Sequence, residues 1–267
     1  MPTVETNGIR MHYDEFGKGE PLLCLMGITA PGSVWEAHVE AWSRDFLCIT
    51  PDNRGVGQTD MPPGPYTSRM MADDTAGLID ALGLESVRVI GCSMGSIIAQ
   101  QLALHHPSVV RSMVLMCPWA RCDRYATGVF EHMKHAKAAL PPDEFMNFIQ
   151  LLIFAKPHWD NDVAFADLVQ AQTDVAADPE PQPLAALEAQ AEACIHHDVL
   201  AELPAIGCPT LVIGGGRDIF TPPWMGDEIA AAIPGAERHL YPDAGHAFHW
   251  ECIEDFNPRI ADWLRQH

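Results

Sequence analysis

Short runs of uninterrupted apolar residues recur along this chain, each separated from the next by a stretch that is apolar on one helical face only. Leu22-Leu23-Cys24-Leu25-Met26 is the clearest run, with no polar residue to face water on either side. A strand with one wet face alternates, whereas a strand covered on both faces does not. Residues 46–50, 87–90, 113–117, 210–213 and 238–241 read as further strands, and 9–13 alternates like an edge strand. Between them, Val34, Trp35, His38, Val39 and Trp42 share a helical face behind a Ser33-x-x-Glu36 capping-box signature. Residues 70–82, stopped by Gly83, and 97–104, 225–233 and 256–264 read as helices too. Strand and helix in alternation demand a mostly parallel central sheet with helices on both faces, an α/β fold.

The alternation is interrupted once, over residues 121–205. A structureless loop of that length is foreign to a compact domain. The stretch reads instead as four helices, 129–140, 144–155, 162–173 and 184–196, with a turn-rich break at Asp178-Pro-Glu-Pro-Gln-Pro183. The expected organisation is a core of residues 1–120 and 206–267 with a helical cap, 121–205. Open α/β sheets bind ligands at the carboxyl ends of their strands, and a cap there covers the crevice.

Charge and composition exclude several classes. The 267 residues carry a net charge of −20, which repels phosphate backbones and anionic lipid surfaces, so nucleic acid and membrane are not expected partners. The cap holds five basic and fourteen acidic residues of this total. No basic segment followed by an apolar core opens the chain, and no apolar run approaches a membrane span. The eight cysteines form no C-x-x-C pair and lie mostly in strand-like runs. That pattern suits buried thiols in a reducing cytoplasm.

Gly91-Cys92-Ser93-Met94-Gly95 is a G-x-S-x-G motif with a buried strand before it and a helix after it. That context projects a hydroxyl from a sharp, strained turn, and the new helix aims its N-terminal amides at developing negative charge. A serine hydroxyl needs a base to attack near neutral pH. His246, after Gly245 in the loop beyond strand 238–241, is the candidate, and His249 is its competitor. The base needs an acid on its far nitrogen. Asp218 follows Gly214-Gly215-Gly216-Arg217 at the exit of strand 210–213, and Asp123 is the second choice. Cys92 reads as a packed thiol. His132 and His135 share a helical face without a convincing third metal ligand. Asp52 and Arg54 read as loop braces. Of the cap residues Phe145, Met146, Phe148, Ile149, Leu152 and Phe154, most are expected to pack and some to line an acyl pocket.

With these motifs in the order Ser, Asp, His, the chain resembles the α/β-hydrolase superfamily over almost its whole length. Pro51-Asp52-Asn53-Arg54-Gly55-Val56-Gly57-Gln58-Thr59-Asp60 adds to the likeness, as do Gly216-Arg217-Asp218 through Pro223 and Ala244-Gly245-His246. Within the superfamily it looks like the capped carboxylesterase and lactonase branch, including 3-oxoadipate enol-lactonases. The resemblance implies a mostly parallel sheet with the cap inserted after the sixth strand. It also implies an oxyanion hole from two backbone amides, those of Met94 and Ile28. Met26-Gly27-Ile28 stands where the family commonly has His-Gly-x.

The expectation is therefore a serine hydrolase of a small or medium carboxylic ester or lactone. Ser93, His246 and Asp218 act as its triad, and the reaction requires no metal or organic cofactor. The acidic cap suits an apolar substrate better than a dianion, although Arg121, Arg124 or Lys156 could meet a carboxylate. C–C bond hydrolysis, cofactor-free perhydrolysis and a low-turnover small-molecule receptor are the competing readings of the same triad. Monomer and homodimer both stay open.

Overall fold

A computed structural model describes residues 2–267; Met1, which begins the core segment bounded above, lies outside the described residues. The first strands and helices are β1 (Thr3–Thr6), β2 (Ile9–Phe16), β3 (Glu20–Leu25), α1 (Glu36–Trp42), β4 (Phe46–Pro51), α2 (Ser68–Ala81), β5 (Val87–Cys92), α3 (Met94–His105) and β6 (Val110–Met116). Five helices follow: α4 (Arg124–Ala139), α5 (Pro142–Ile153), α6 (Lys156–Trp159), α7 (Asp162–Ala177) and α8 (Leu184–Ile195). The chain then returns through β7 (Thr210–Gly215), α9 (Pro223–Ala232), β8 (Glu237–Tyr241), α10 (Phe248–Glu251) and α11 (Ile253–Gln266).

The eight strands form one sheet in the order β1-β2-β4-β3-β5-β6-β7-β8. The β1–β2 and β2–β4 pairs are antiparallel; the other five are parallel. Strand β1 has no counterpart among the strands expected from the sequence, and it makes β6 the sixth strand of the chain. The period of two explains why runs such as Leu22–Met26 and Met113–Cys117 are apolar throughout. Leu23 and Leu25 of β3 enter one core with Val89, Met113, Leu115 and Val212, under α2, α3 and α9. Leu22 and Cys24 enter the other with Ile90, Val114, Met116, Leu211 and Ile213, under α1 and α11.

Two sequence expectations are corrected. The capping box at Ser33 and Glu36 does not form: Gly32–Trp35 is a 3-10 turn, and no side chain caps it or α1. Local chemistry yields here to the burial of Trp35 and Trp42 against α11. The stretch between β6 and β7 holds five helices, not four, because Pro157 at an early helical position starts the one-turn α6. Its stem closes on itself, with Val199 N donating to Ala120 O at 2.8 Å and Cys122 N to His197 O at 3.2 Å. No helix among the described residues is long and apolar enough to cross a membrane.

Candidate active site

Six parallel strands, β3 to β8, release their chains at one edge of the sheet, and the candidate site residues lie in those exits. β5 ends at Cys92, and the next residue, Ser93, carries φ 53° and ψ −116° and so stands in the strained left-handed region. The strain is held from several sides. Ser93 N donates to Met116 O at 2.9 Å, and Ser93 O accepts from Ser96 N and Ser96 Oγ. Gly95 makes the turn possible: a Cβ there would stand 2.1 Å from Leu25 O. Ser93 Oγ is buried and, among the described residues, has no hydrogen-bond partner.

The exit of β7 carries Asp218 and that of β8 carries His246. His246 Nδ1 lies 2.8 Å from Asp218 Oδ2, with both side chains buried. Asp218 Oδ1 accepts from Phe220 N at 2.8 Å and Thr221 N at 2.9 Å, which fixes the carboxylate. Thr221 Oγ1 sits 2.9 Å from Asp218 Oδ2 and 3.1 Å from His246 Nδ1. A carboxylate beside Nδ1 keeps the proton there and leaves the Nε2 lone pair free to take another. Ser93 and His246 face the same cavity, of about 590 Å³.

The exit of β3 lies against Ser93. A Cβ on Gly27 would stand 3.3 Å from Ser93 Cβ and 3.8 Å from its Oγ. The His-Gly pattern is missing here, but the loop is braced at both ends. Asn53 Nδ2 donates to Met26 O at 2.8 Å, and Thr29 N donates to Gln190 Oε1 at 3.0 Å. Gln190 belongs to α8 and also donates to Arg54 O. The segment that follows α5 is tied to the His246 loop in the same way. Glu251 Oε1 accepts from Ala155 N and Gly245 N, both at 3.0 Å, and Ala247 N donates to Ile153 O at 2.8 Å. Beyond this tether lies a second groove, of about 910 Å³, onto which Glu251 also faces. Burial pushes the Glu251 carboxyl up, against those two amide bonds.

The competing assignments separate cleanly. Asp123 caps α4, its Oδ1 accepting from Ala126 N at 2.8 Å, and reaches no histidine. His249 is buried away from Asp218 and contacts His38 instead. Burial pushes the Cys92 thiol up to about 12, which fits a packed residue. Asp52 accepts from Gly32 N, Gln58 N and His12, and Arg54 pairs with Asp74, so both brace turns. His132 and His135 lie with ring centroids 6.0 Å apart, and no third metal-binding side chain among the described residues joins them. The one cluster of three such side chains among the described residues is Cys117, Asp218 and His246. Two of its members already bond each other, and Cys117 Sγ donates to His246 O at 2.9 Å.

Of the helical residues expected near a pocket, Met146, Ile149 and Phe154 line the cavity. Phe145, Phe148 and Leu152 pack inward. No Lys or Arg among the described residues lines it. Arg121 and Lys156 form exposed pairs with Glu228 and Asp160. Gln190, Thr221 and Glu251 escaped the sequence reading. Gln190 is one of few polar residues in the alanine-rich run of α8, and Glu251 closes the aromatic run of α10, which are the only signals they give.

The sequence matches the family model of the alpha/beta hydrolase fold over residues 20–252. The chain belongs to that family. This α/β hydrolase is 34% identical over 261 residues to a protein described as a non-heme bromoperoxidase, BpoC, of Mycobacterium tuberculosis, covering 96% of this chain and 98% of the other. It is 29% identical to a protein described as a carbamate hydrolase, RutD, of Azorhizobium caulinodans, with 97% of each chain covered. Its structure superposes on the enol-lactonase of Burkholderia xenovorans with a TM-score of 0.89 at 25% identity, over 99% of this chain and 100% of that one. The α/β hydrolase thus stands with the superfamily's lactonases and esterases, and its fold implies a small-molecule substrate.

Proposed function

We propose that this α/β hydrolase is a serine enzyme that cleaves a small or medium carboxylic ester or lactone through an acyl-enzyme, with residues 121–205 as its cap. The observation that carries the reading is the strained Ser93, its hydroxyl unpaired among the described residues, sharing a cavity with a His246 that is already oriented by Asp218. His246 Nε2 takes the proton as Ser93 Oγ attacks the carbonyl, and Asp218 stabilises the imidazolium. The amides of Met94 and Ile28 bind the tetrahedral oxyanion, each worth about 3 kcal/mol to the transition state. His246 then hands its proton to the departing alcohol, and water activated by the same nitrogen releases the acid. The absence of Lys and Arg from the lining among the described residues supports a neutral, mostly apolar acyl group.

Intact-mass labelling with a fluorophosphonate tests this, beside turnover of p-nitrophenyl esters and simple lactones by wild type and Ser93→Ala. One label per chain and turnover in wild type alone are expected. A folded wild type that neither labels nor turns over would move the weight to a receptor.

The relative described as a non-heme bromoperoxidase favours a second reading. Hydrogen peroxide in place of water would attack the acyl-enzyme and leave as a peracid, regenerating Ser93. Peracid formation from acetate and peroxide, lost in Ser93→Ala, distinguishes it.

A further inference from the structure

A second chain of polar side chains runs behind the nucleophile, and no step above uses it. Asn257 of α11 donates through Nδ2 to Ala37 O at 3.4 Å, so its Oδ1 is the atom that faces His38 Nδ1 at 2.6 Å. His38 therefore carries its proton on Nδ1 and a lone pair on Nε2. That lone pair stands 2.9 Å from His249 Nδ1. His249 must in turn be protonated at Nδ1, and its Nε2 presents a lone pair. Burial keeps both rings neutral, with His38 held down to about 4 and His249 well below the usual imidazole range. Neither ring is free to turn: Trp42 stacks on His38 at 5.3 Å, and Trp250 lies 4.2 Å from His249.

What meets His249 Nε2 is the Cys92 thiol, at 3.8 Å. A thiol is a weak donor, and this contact is long even for sulfur. His249 and Cys92 both line the cavity that holds Ser93 and His246. The rest of the lining is mostly apolar, with Met26, Ala30, Val34, Phe154 and Trp250 among it, and Gln150, His158 and Asp167 are among its other polar side chains. A fixed acceptor in an apolar wall, matched only by a thiol, favours any ligand that brings a better donor.

We propose that His249 Nε2 is a substrate-recognition acceptor, taking a hydrogen bond from a hydroxyl or amide N–H carried on an otherwise apolar ester or lactone. His38 and Asn257 are positioning residues that hold its tautomer. The inference rests on the ester and lactone reading and narrows its substrate class.

The test compares p-nitrophenyl butyrate with its 2- and 3-hydroxy analogues, and γ-butyrolactone with its own. The readout is the ratio of kcat/KM, hydroxylated over parent, taken within each variant so that a general loss of activity cancels. In wild type at least one pair is expected to favour the hydroxylated member about tenfold, the worth of one hydrogen bond in a dry site. The ratio falls to about one in His249→Phe. It also falls in His38→Phe, where His249 is intact but free to carry its proton on Nε2. Imidazole nitrogen NMR of the wild type, which needs no variant to fold, is expected to show His249 protonated at Nδ1 and bare at Nε2. Wild-type ratios near one throughout, ratios unmoved in His249→Phe, or a protonated Nε2 would each overturn the proposal. If no ester or lactone is turned over at all, the ester reading fails by itself. Titration of Ser93→Ala with the same ligands, followed by tryptophan fluorescence, then decides this one: a tenfold Kd preference supports it, and equal Kd values overturn it.

Discussion

Replacing Glu251 with alanine removes the acceptor shared by Ala155 N and Gly245 N, one at the end of α5 and one beside His246. A hydrogen bond to a charged group is worth about 1.5–3 kcal/mol, and two of them, roughly halved for a half-buried side chain, come to about 2 kcal/mol. For a chain of this size that lowers Tm by about 4–8 °C. The kinetic cost is separate. With His246 as the proposed base, a loop freed to move it by about 1 Å lowers the rate about 100-fold. Glu251→Gln keeps an acceptor oxygen for both amides and turns its NH2 toward the neighbouring groove. Being neutral, it also escapes the desolvation that pushes the carboxyl up. It is expected to hold Tm within about 2 °C of wild type and kcat within about fivefold. Scanning calorimetry and p-nitrophenyl butyrate turnover measure both. A folded Glu251→Ala protein with wild-type kcat would refute the idea that this tether positions His246. A glutamine variant as slow as the alanine one would show that the charge matters and the geometry does not.

Three further outcomes follow from the buried groups. His38 is held down to about 4 in the folded protein against an ordinary value of 6.5, so on acidification the unfolded chain takes up a proton first. Its contribution is therefore lost as pH falls below 6.5, by about 2 kcal/mol at pH 5, and urea titrations should show a shallower pH slope in His38→Phe; identical slopes would contradict the buried neutral ring. Gly95→Ala drives a Cβ to 2.1 Å from Leu25 O, a backbone atom that cannot yield, and is expected to cost at least about 3 kcal/mol or prevent folding; a stable, active Gly95→Ala enzyme would mean that the elbow is looser than described. Iodoacetamide at pH 8 should label the half-buried Cys122, Cys208 and Cys252 first and leave Cys24, Cys92, Cys117 and Cys194 unmodified in the native protein; peptide mapping that finds Cys92 alkylated early would contradict a packed, protonated thiol.

The two-sided sheet was readable because a strand buried on both faces must be apolar at every position, as Leu22 to Met26 are. Ser93 was readable because its strand, turn and helix are contiguous. Asp218 and His246 were readable from their place after strands whose exits share an edge. β1 was not, since Thr3–Thr6 alternates over only four residues with polar neighbours. Nor was the polar chain behind Ser93, because His38 and His249 stand 211 positions apart and each alone looks like a histidine on an apolar face. Gln190 reaches Thr29 N and Arg54 O, and Glu251 reaches Ala155 N, groups far away in sequence that no local pattern announces.

Those last two residues have a consequence for how such enzymes diverge. Gln190 joins α8 to the loop under Thr29, and Glu251 joins the end of α5 to the loop carrying His246. The helical insertion is thus not an interchangeable part. Transplanting residues 121–205 from a relative brings in foreign anchor points for the loop beside Ser93 and the loop carrying His246. A chimera that keeps both tethers must carry the 27–29 and 245–251 segments along with it, so the insertion and these two loops are inherited here as one unit.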